Sequence, residues 1–389
     1  MKYIKKFKIL IFLLACFIVG FITMPLFHNG YVGALINTFT YVAWYWHLLI
    51  VLGVLFFTLA LHELTHFLTS ILTGYKNDMM IIFMFLFYKD KGKWRFKISP
   101  KLLLLGGGLV WPNLGEIHNE TDYINARKSI QTSLLAAPLV TLISGILPLL
   151  LALLFFYKTF LIPISLYIFL FSMLYTYVST LESGEIVGDF KAYKRIKHND
   201  DFSNLVILQY SETTPYQYEY LKNYLQTHST YNKQTRMYLS YLLDKNIFKD
   251  NEIDLFLYEK VLSIISYEYE FKNFLRHDEG IILAQHIILF LYKAHHQDDA
   301  LSFYEIFEDS ILKKKTKDIY KQYLLRQTKH LLNLSDESGY INDKKNMQIN
   351  ALSFILNTMP SIVENELEKN EGFEKFPIQC NIENGLDKT

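Results

Sequence analysis

The chain of 389 residues has almost no negative charge where it begins: no aspartate or glutamate occurs before Glu63. Cysteine is nearly absent. Cys16 and Cys380 lie at opposite ends, one in an apolar run and one in a polar tail, which excludes a disulfide framework and leaves no thiolate metal site. Net charge is lacking too. Thirty-nine basic and 38 acidic residues leave +1, so no global field attracts nucleic acid, and no nucleic acid is expected as a partner. What the chain does have is hydrophobicity, 51% of its residues, concentrated in the first half; the second half is polar and rich in tyrosine and lysine. This length points to two domains.

Four apolar segments reach the roughly 20 residues that a helix needs to cross a bilayer: about 9–27, 48–73, 132–156 and 161–181. Trp44, Tyr45 and Trp46 form an aromatic belt at the start of the second. Lys2, Lys5, Lys6 and Lys8 precede the first span, and residues 28–47 carry no charged side chain. Residues 74–128 are basic, the next connection has only Lys158, and Lys191, Lys194, Arg195 and Lys197 follow the fourth span. The bias of Lys and Arg toward the cytoplasm then predicts a multi-pass protein of the cell membrane, with its N-terminus and its polar C-terminal half both cytoplasmic. The first span reads as an uncleaved anchor rather than a signal peptide, because its apolar run continues past Cys16.

Between the second and third spans, MMIIFMFLFY (Met79 to Tyr88) is too short to cross. KWRFKI (Lys93 to Ile98) alternates as a strand does, and LLLLGGGLVW (Leu102 to Trp111) is broken by glycines. A small re-entrant or interfacial β-hairpin is expected here, with an amphipathic surface segment as the alternative. From about residue 200, apolar positions recur at helical spacing. GIILAQHIILFLY (Gly280 to Tyr292) is too short for a fifth span and reads as a buried helix. LYKAHHQDDALSFYEIFE (Leu291 to Glu308) resembles the turn and second helix of a tetratricopeptide hairpin, and His295-His296 reads as its turn. SILKKKTKD (Ser310 to Asp318) reads as a solvated basic face. No PDZ-like strand pattern is present. The expected fold is mainly α. A polytopic membrane domain over 1–199, with about four transmembrane helices and the β-hairpin, precedes a cytoplasmic all-α, TPR-like domain over 200–368 and a flexible tail over 369–389.

The chemistry concentrates in LALHELTHFLTS (Leu59 to Ser70), inside the second span. His62 and His66 stand four apart, hence on one helix face, where both can reach one Zn2+ ion. Glu63 beside them can act as general base toward a zinc-activated water. Ionisable groups at the centre of a membrane helix cost about 2.5–3.5 kcal/mol each, so three of them together point to a task. A catalytic zinc takes a third protein ligand and keeps one open position. Thr180 to Ile196 follows the fourth span directly and offers Glu182, Glu185 and Asp189, with Ser183, Gly184 and Gly188 to let the chain dip back toward the metal. His118 and His198 are loop residues and weaker candidates; Asn113 is a candidate for holding a substrate backbone.

These residues resemble the site-2 proteases, intramembrane zinc metallopeptidases. HELTH (His62 to His66) matches the family's HExxH. GDFKAYKRI (Gly188 to Ile196) is similar to its aspartate motif, although the Asn-Pro pair before the aspartate is absent and Phe190 stands where glycine is usual. AAPLVTLISG (Ala136 to Gly145) is similar to its small-residue, proline-containing helix. The resemblance covers about residues 45–197. It implies Asp189 as the third ligand, with Glu182 or Glu185 as the alternative, and a membrane-associated β-hairpin at 79–111 whose strand edge holds an unwound substrate.

The expected function is an intramembrane zinc metalloendopeptidase acting on a membrane protein or membrane-inserted peptide within the lipid bilayer, near its cytoplasmic face. A protein partner could dock on the helical domain. The competing expectation is a non-catalytic membrane scaffold or receptor that uses that domain alone; intact Glu63 argues against it.

Overall fold

The structure is a computed structural model and describes residues 30–105, 107–183, 186–212, 214–228, 232–250, 252–313, 319–341, 364, 367–371 and 373. The expected span at 9–27 and residue Glu185 lie outside the described residues. The described chain is mostly helical and carries a small antiparallel sheet.

Helix α1 (Tyr31–Asn37) and a 3-10 turn (Thr38–Tyr41) lead into α2 (Trp44–Leu72). Later come α3 (Glu120–Phe155) and α4 (Leu161–Val178). These three longer helices are apolar and long enough to cross a membrane, and they take the places of the second, third and fourth expected spans. Their large apolar side chains stay exposed, Leu49, Phe57, Leu147 and Leu154 among them, as lipid-facing surfaces require. The third is longer than its apolar run. It begins at Glu120, where Glu120 and Asp122 favour the positive helix end and Asn119 accepts from the Asp122 amide at 3.0 Å.

The chain divides into two compact units, each discontinuous in sequence: 1–69 with 132–194, and 70–131 with 195–389. Composition alone had suggested one boundary near 199–200. In the first unit, α3 and α4 touch through small residues. A Cβ placed on Gly145 would come within 2.6 Å of Ser172 Cβ, so this close approach requires glycine. At the start of α2, His47 Nε2 donates to the Phe39 carbonyl at 2.9 Å and Nδ1 accepts from Tyr167 Oη at 3.0 Å, tying the 3-10 turn to α2 and α4.

The second unit replaces the expected β-hairpin with a four-stranded sheet, β1 (Lys76–Ile82), β2 (Phe85–Asp90), β3 (Lys93–Ile98) and β4 (Gly108–Asn113), in the order β3-β2-β1-β4. The run MMIIFMFLFY is not one element: it turns at Phe83, whose φ is 53°, and pairs with itself, Ile82 opposite Phe85. Lys91 and Gly92, both at positive φ, make the next two-residue turn, which suits the twist of a hairpin. The glycine-broken segment then returns as β4 along the other side of β1. Met79, Ile81, Leu86 and Leu102 form the sheet's core. Strand β3 is exposed throughout, with Lys93, Arg95 and Lys97 alternating with Trp94, Phe96 and Ile98.

Helices α5 (Asp189–His198), α6 (Asp200–Tyr210), α7 (Pro215–Thr227), α8 (Lys233–Phe248), α9 (Leu255–Ile265), α10 (Glu268–Phe274), α11 (Asp278–Lys293), α12 (Gln297–Lys313) and α13 (Ile319–Leu331) follow. Asn199, Thr214, Asn232 and Asp254 cap the starts of α6 to α9 with side-chain oxygens. The apolar helix α11 is the centre of this core, with Ile287 to Leu291 fully buried by protein, so it is not a fifth span. Its Lys293 ammonium donates to the carbonyls of Asn246, Ile247 and Asp250 at 2.6–2.8 Å and closes the end of α8. His295 sits at φ 62° in the turn before α12. Sheet and helices of this unit are joined by backbone: Leu114 N–H donates to the Tyr210 carbonyl at 2.7 Å and Glu212 N–H to that of Gly115 at 3.0 Å. At the start of the expected tail, Lys369 pairs with Asp244 at 2.7 Å and Phe373 stacks on Tyr292.

The Gly145 contact makes a direct demand on packing. Gly145→Leu should destabilise the α3–α4 pair by about 1–3 kcal/mol, read as a lower midpoint of thermal unfolding in detergent micelles. An unchanged midpoint would show that the two helices do not meet there.

Candidate metal centre

His62, His66 and Asp189 come together in the first compact unit, each offering one ligand atom, with all three atoms within 4.8 Å of one another. The helical repeat puts the two imidazoles one above the other on α2, ring centroids 5.0 Å apart and nearly perpendicular. The third residue arrives from 127 positions later. After α4, the chain makes a short two-stranded turn, β5 (Glu182–Ser183) against β6 (Ile186–Val187), and re-enters a helix at Asp189. Gly188 lets it do so. A Cβ there would lie 2.6 Å from the carbonyl oxygens of Val178 and Ser179. The bend is also held by Gly188 N–H donating to Leu181 O and Phe190 N–H to Ser179 O, both at 3.0 Å. Asp189 is therefore the first residue of a helix folded tightly against the end of α4.

The hydrogen bonds around the imidazoles decide what they present. Thr141 Oγ1, on α3, donates to the Ala137 carbonyl at 2.8 Å, so toward His62 Nδ1, 3.0 Å away, it can only accept. His62 thus carries its proton on Nδ1. Ser133 Oγ makes the same pattern with His66, 3.0 Å from Nδ1 and 3.5 Å from the His66 carbonyl to which it donates. Both rings accordingly turn an Nε2 lone pair inward. Asp189 Oδ2 faces both, 2.9 Å from His62 Nε2 and 3.5 Å from His66 Nε2. Three ligand atoms thus converge within 4.8 Å of one another, an arrangement that could hold a metal ion among them. Ligand atoms around a tetrahedral zinc stand about 3.3–3.5 Å apart, close to the spacing found, so this donor set fits zinc. An acceptor for the other ring N–H is the usual way to fix the tautomer of a metal-binding histidine, and here hydroxyls lie within 3.0 Å of both Nδ1 atoms.

Glu63 is 6% exposed and lies within electrostatic range of both imidazoles and Asp189. Tyr175 of α4 packs its ring along His62, centroids 6.4 Å apart and planes 25° from parallel. Glu182 is exposed in β5 and is not part of the cluster. His118 pairs with Glu116 at 2.9 Å on the surface, and His198 is exposed at the end of α5. Asn113 donates to Asp78 at 2.6 Å and accepts from Gly115 N–H at 2.8 Å, which holds the turn after β4. Ser133, Thr141 and Tyr175 were not foreseen. The available signal was the spacing of Ser133, Ala137 and Thr141, a stripe of small residues at i, i+4 and i+8 on a membrane helix.

If the hydroxyl of Thr141 orients His62, Thr141→Val should weaken metal affinity about 10- to 100-fold while leaving the fold intact. Titration of the purified protein against a competing chelator measures this, and an unchanged affinity would remove Thr141 from the site.

The sequence model of Peptidase family M50 matches residues 49–362, which takes in the helical region as well as the spans. Searches of curated proteins and of solved structures give no match.

Proposed function

The chain belongs to peptidase family M50, and from that footing we propose that it is an intramembrane zinc endopeptidase, cutting a membrane-spanning or membrane-inserted peptide near the cytoplasmic face. The observation that carries the proposal is the convergence of His62 Nε2, His66 Nε2 and Asp189 Oδ2 beside a buried glutamate on an apolar helix. His62, His66 and Asp189 are the ligands in this reading, and Glu63 is the general base.

Zinc bound there would polarise the scissile carbonyl and make water acidic enough to deprotonate near neutral pH. The chain supplies the rest. Glu63 takes the proton from water as its oxygen adds to the carbonyl carbon, and later delivers it to the amide nitrogen as the C–N bond breaks. Thr141 and Ser133 keep both imidazoles in the tautomer that leaves Nε2 free. Burial of Glu63 keeps bulk water from competing for its carboxylate.

A substrate helix has no free backbone groups, so it must unwind before it can be cut. Among the described residues no strand pairs with the outer edge of β3, and that edge offers a place for an extended segment to add as a further strand. The basic loops support a cytoplasmic position for the active end of α2 and for the helical region after it.

Glu63→Gln should keep zinc and thermal stability at wild-type levels while cleavage of a co-reconstituted membrane substrate falls at least about 100-fold. Such a variant also holds substrates uncut, so crosslinked partners identify them; full cleavage by it would defeat the peptidase reading. Zinc content separates the candidate third ligands: Asp189→Ala should lose the metal and Glu182→Ala should keep it.

A further inference from the structure

Water adding to a peptide carbonyl pushes the C=O electron pair onto oxygen, and a hydrogen-bond donor aimed at that oxygen lowers the barrier more than almost any other single group. The hydroxyls nearest the imidazoles are already committed, since Thr141 donates to Ala137 O and Ser133 to His66 O. Tyr175 is different. Its ring lies along that of His62, centroids 6.4 Å apart, on the face of the helix that looks toward the HELTH residues. Among the described residues its hydroxyl makes no hydrogen bond, although the ring is half-buried on an apolar helix. Phenols in such surroundings usually find a partner, and here none is supplied by the described residues.

The position is also rigid. Tyr175 lies one turn before Ser179, whose amide and hydroxyl both donate to the Tyr175 carbonyl at 2.9 and 3.0 Å. The Ser179 carbonyl in turn holds Phe190 N–H, next to Asp189. One helix end therefore sets both the phenol and the carboxylate, and their spacing does not depend on a mobile loop.

Building on the peptidase reading, we infer that Tyr175 is a further catalytic residue, whose hydroxyl donates a hydrogen bond to the scissile carbonyl oxygen as it becomes an oxyanion. The phenol keeps its proton throughout; the proton of water goes to Glu63 and then to the leaving amine. Loss of the hydroxyl removes this donor without touching the ring that packs on His62, so Tyr175→Phe isolates the chemistry from the packing.

The test uses full-length wild type and Tyr175→Phe in detergent, with two probes of the same apolar side chains. One is a phosphinic peptide, whose tetrahedral oxygens mimic the oxyanion; the other is a thiol peptide, which offers the metal a sulfur and has no such oxygens. Zinc content is measured in parallel. The expected result is wild-type zinc content and thiol affinity, with phosphinic affinity reduced on the order of 100-fold. Unchanged phosphinic affinity would overturn the inference, and so would an equal loss of zinc and of both probes, which would mean that the hydroxyl only supports the fold. Wild-type protein that holds no zinc would instead overturn the peptidase reading and this inference with it.

Discussion

Three lone pairs pointed at one place are the constraint on which this structure turns. His62 and His66 cannot both turn a bare Nε2 toward the same carboxylate oxygen of Asp189 unless positive charge stands among them. The cost is greater in an apolar helix, where water cannot screen the repulsion and each ionisable group is already expensive to bury. An arrangement of this kind could hold a cation among the three groups. The surrounding features support that arrangement: the hydroxyls of Thr141 and Ser133 that fix the ring tautomers, the glycine that brings Asp189 under the end of α4, and the small residues that let α3 approach.

The candidate ligands come from separate parts of the chain, so the cluster exists only when three helices are assembled. α2 contributes both imidazoles on one face, the start of α5 contributes the carboxylate, and α3 contributes the outer hydroxyls. His62 meets Thr141 and His66 meets Ser133, so α2 and α3 run antiparallel past each other, with the fully buried Ala137 between the two contacts. Binding a cation there adds its affinity to the stability of that assembly, since the unfolded chain has no such site. A metal bound there would thus be linked to tertiary structure within the first compact unit. The peptidase family to which the chain belongs accounts for the general design, and the match continues through the helical region.

Much of this was legible in the sequence because the signals were either long or chemically unusual. Spans at 48–73, 132–156 and 161–181 stand out by hydropathy averaged over many residues, and HELTH stands out because acid and imidazole are rare in such surroundings. The sheet was only half legible. A ten-residue apolar run such as MMIIFMFLFY has no period that separates one buried segment from two paired strands, and the deciding feature was a single residue, Phe83, at positive φ. The choice among Glu182, Glu185 and Asp189 could not be made from spacing, since all three follow the same span. Distance favours Asp189 over Glu182, through a backbone approach that Gly188 permits, while Glu185 lies outside the described residues. Thr141 and Ser133 were invisible for another reason: hydroxyls on membrane helices commonly bond to their own backbone, as Thr141 also does, so nothing marks the few that reach further. The grouping of 70–131 with 195–389 rests on long-range backbone bonds such as Leu114 to Tyr210, which leave no trace in composition.

The most direct check of the central claim is an X-ray absorption spectrum at the zinc edge, taken on the purified full-length protein. The account predicts one zinc whose nearest neighbours are nitrogen and oxygen at about 2.0–2.2 Å, with the outer scattering of two imidazoles and no sulfur. A protein free of zinc, or a zinc without imidazole scattering, would contradict it.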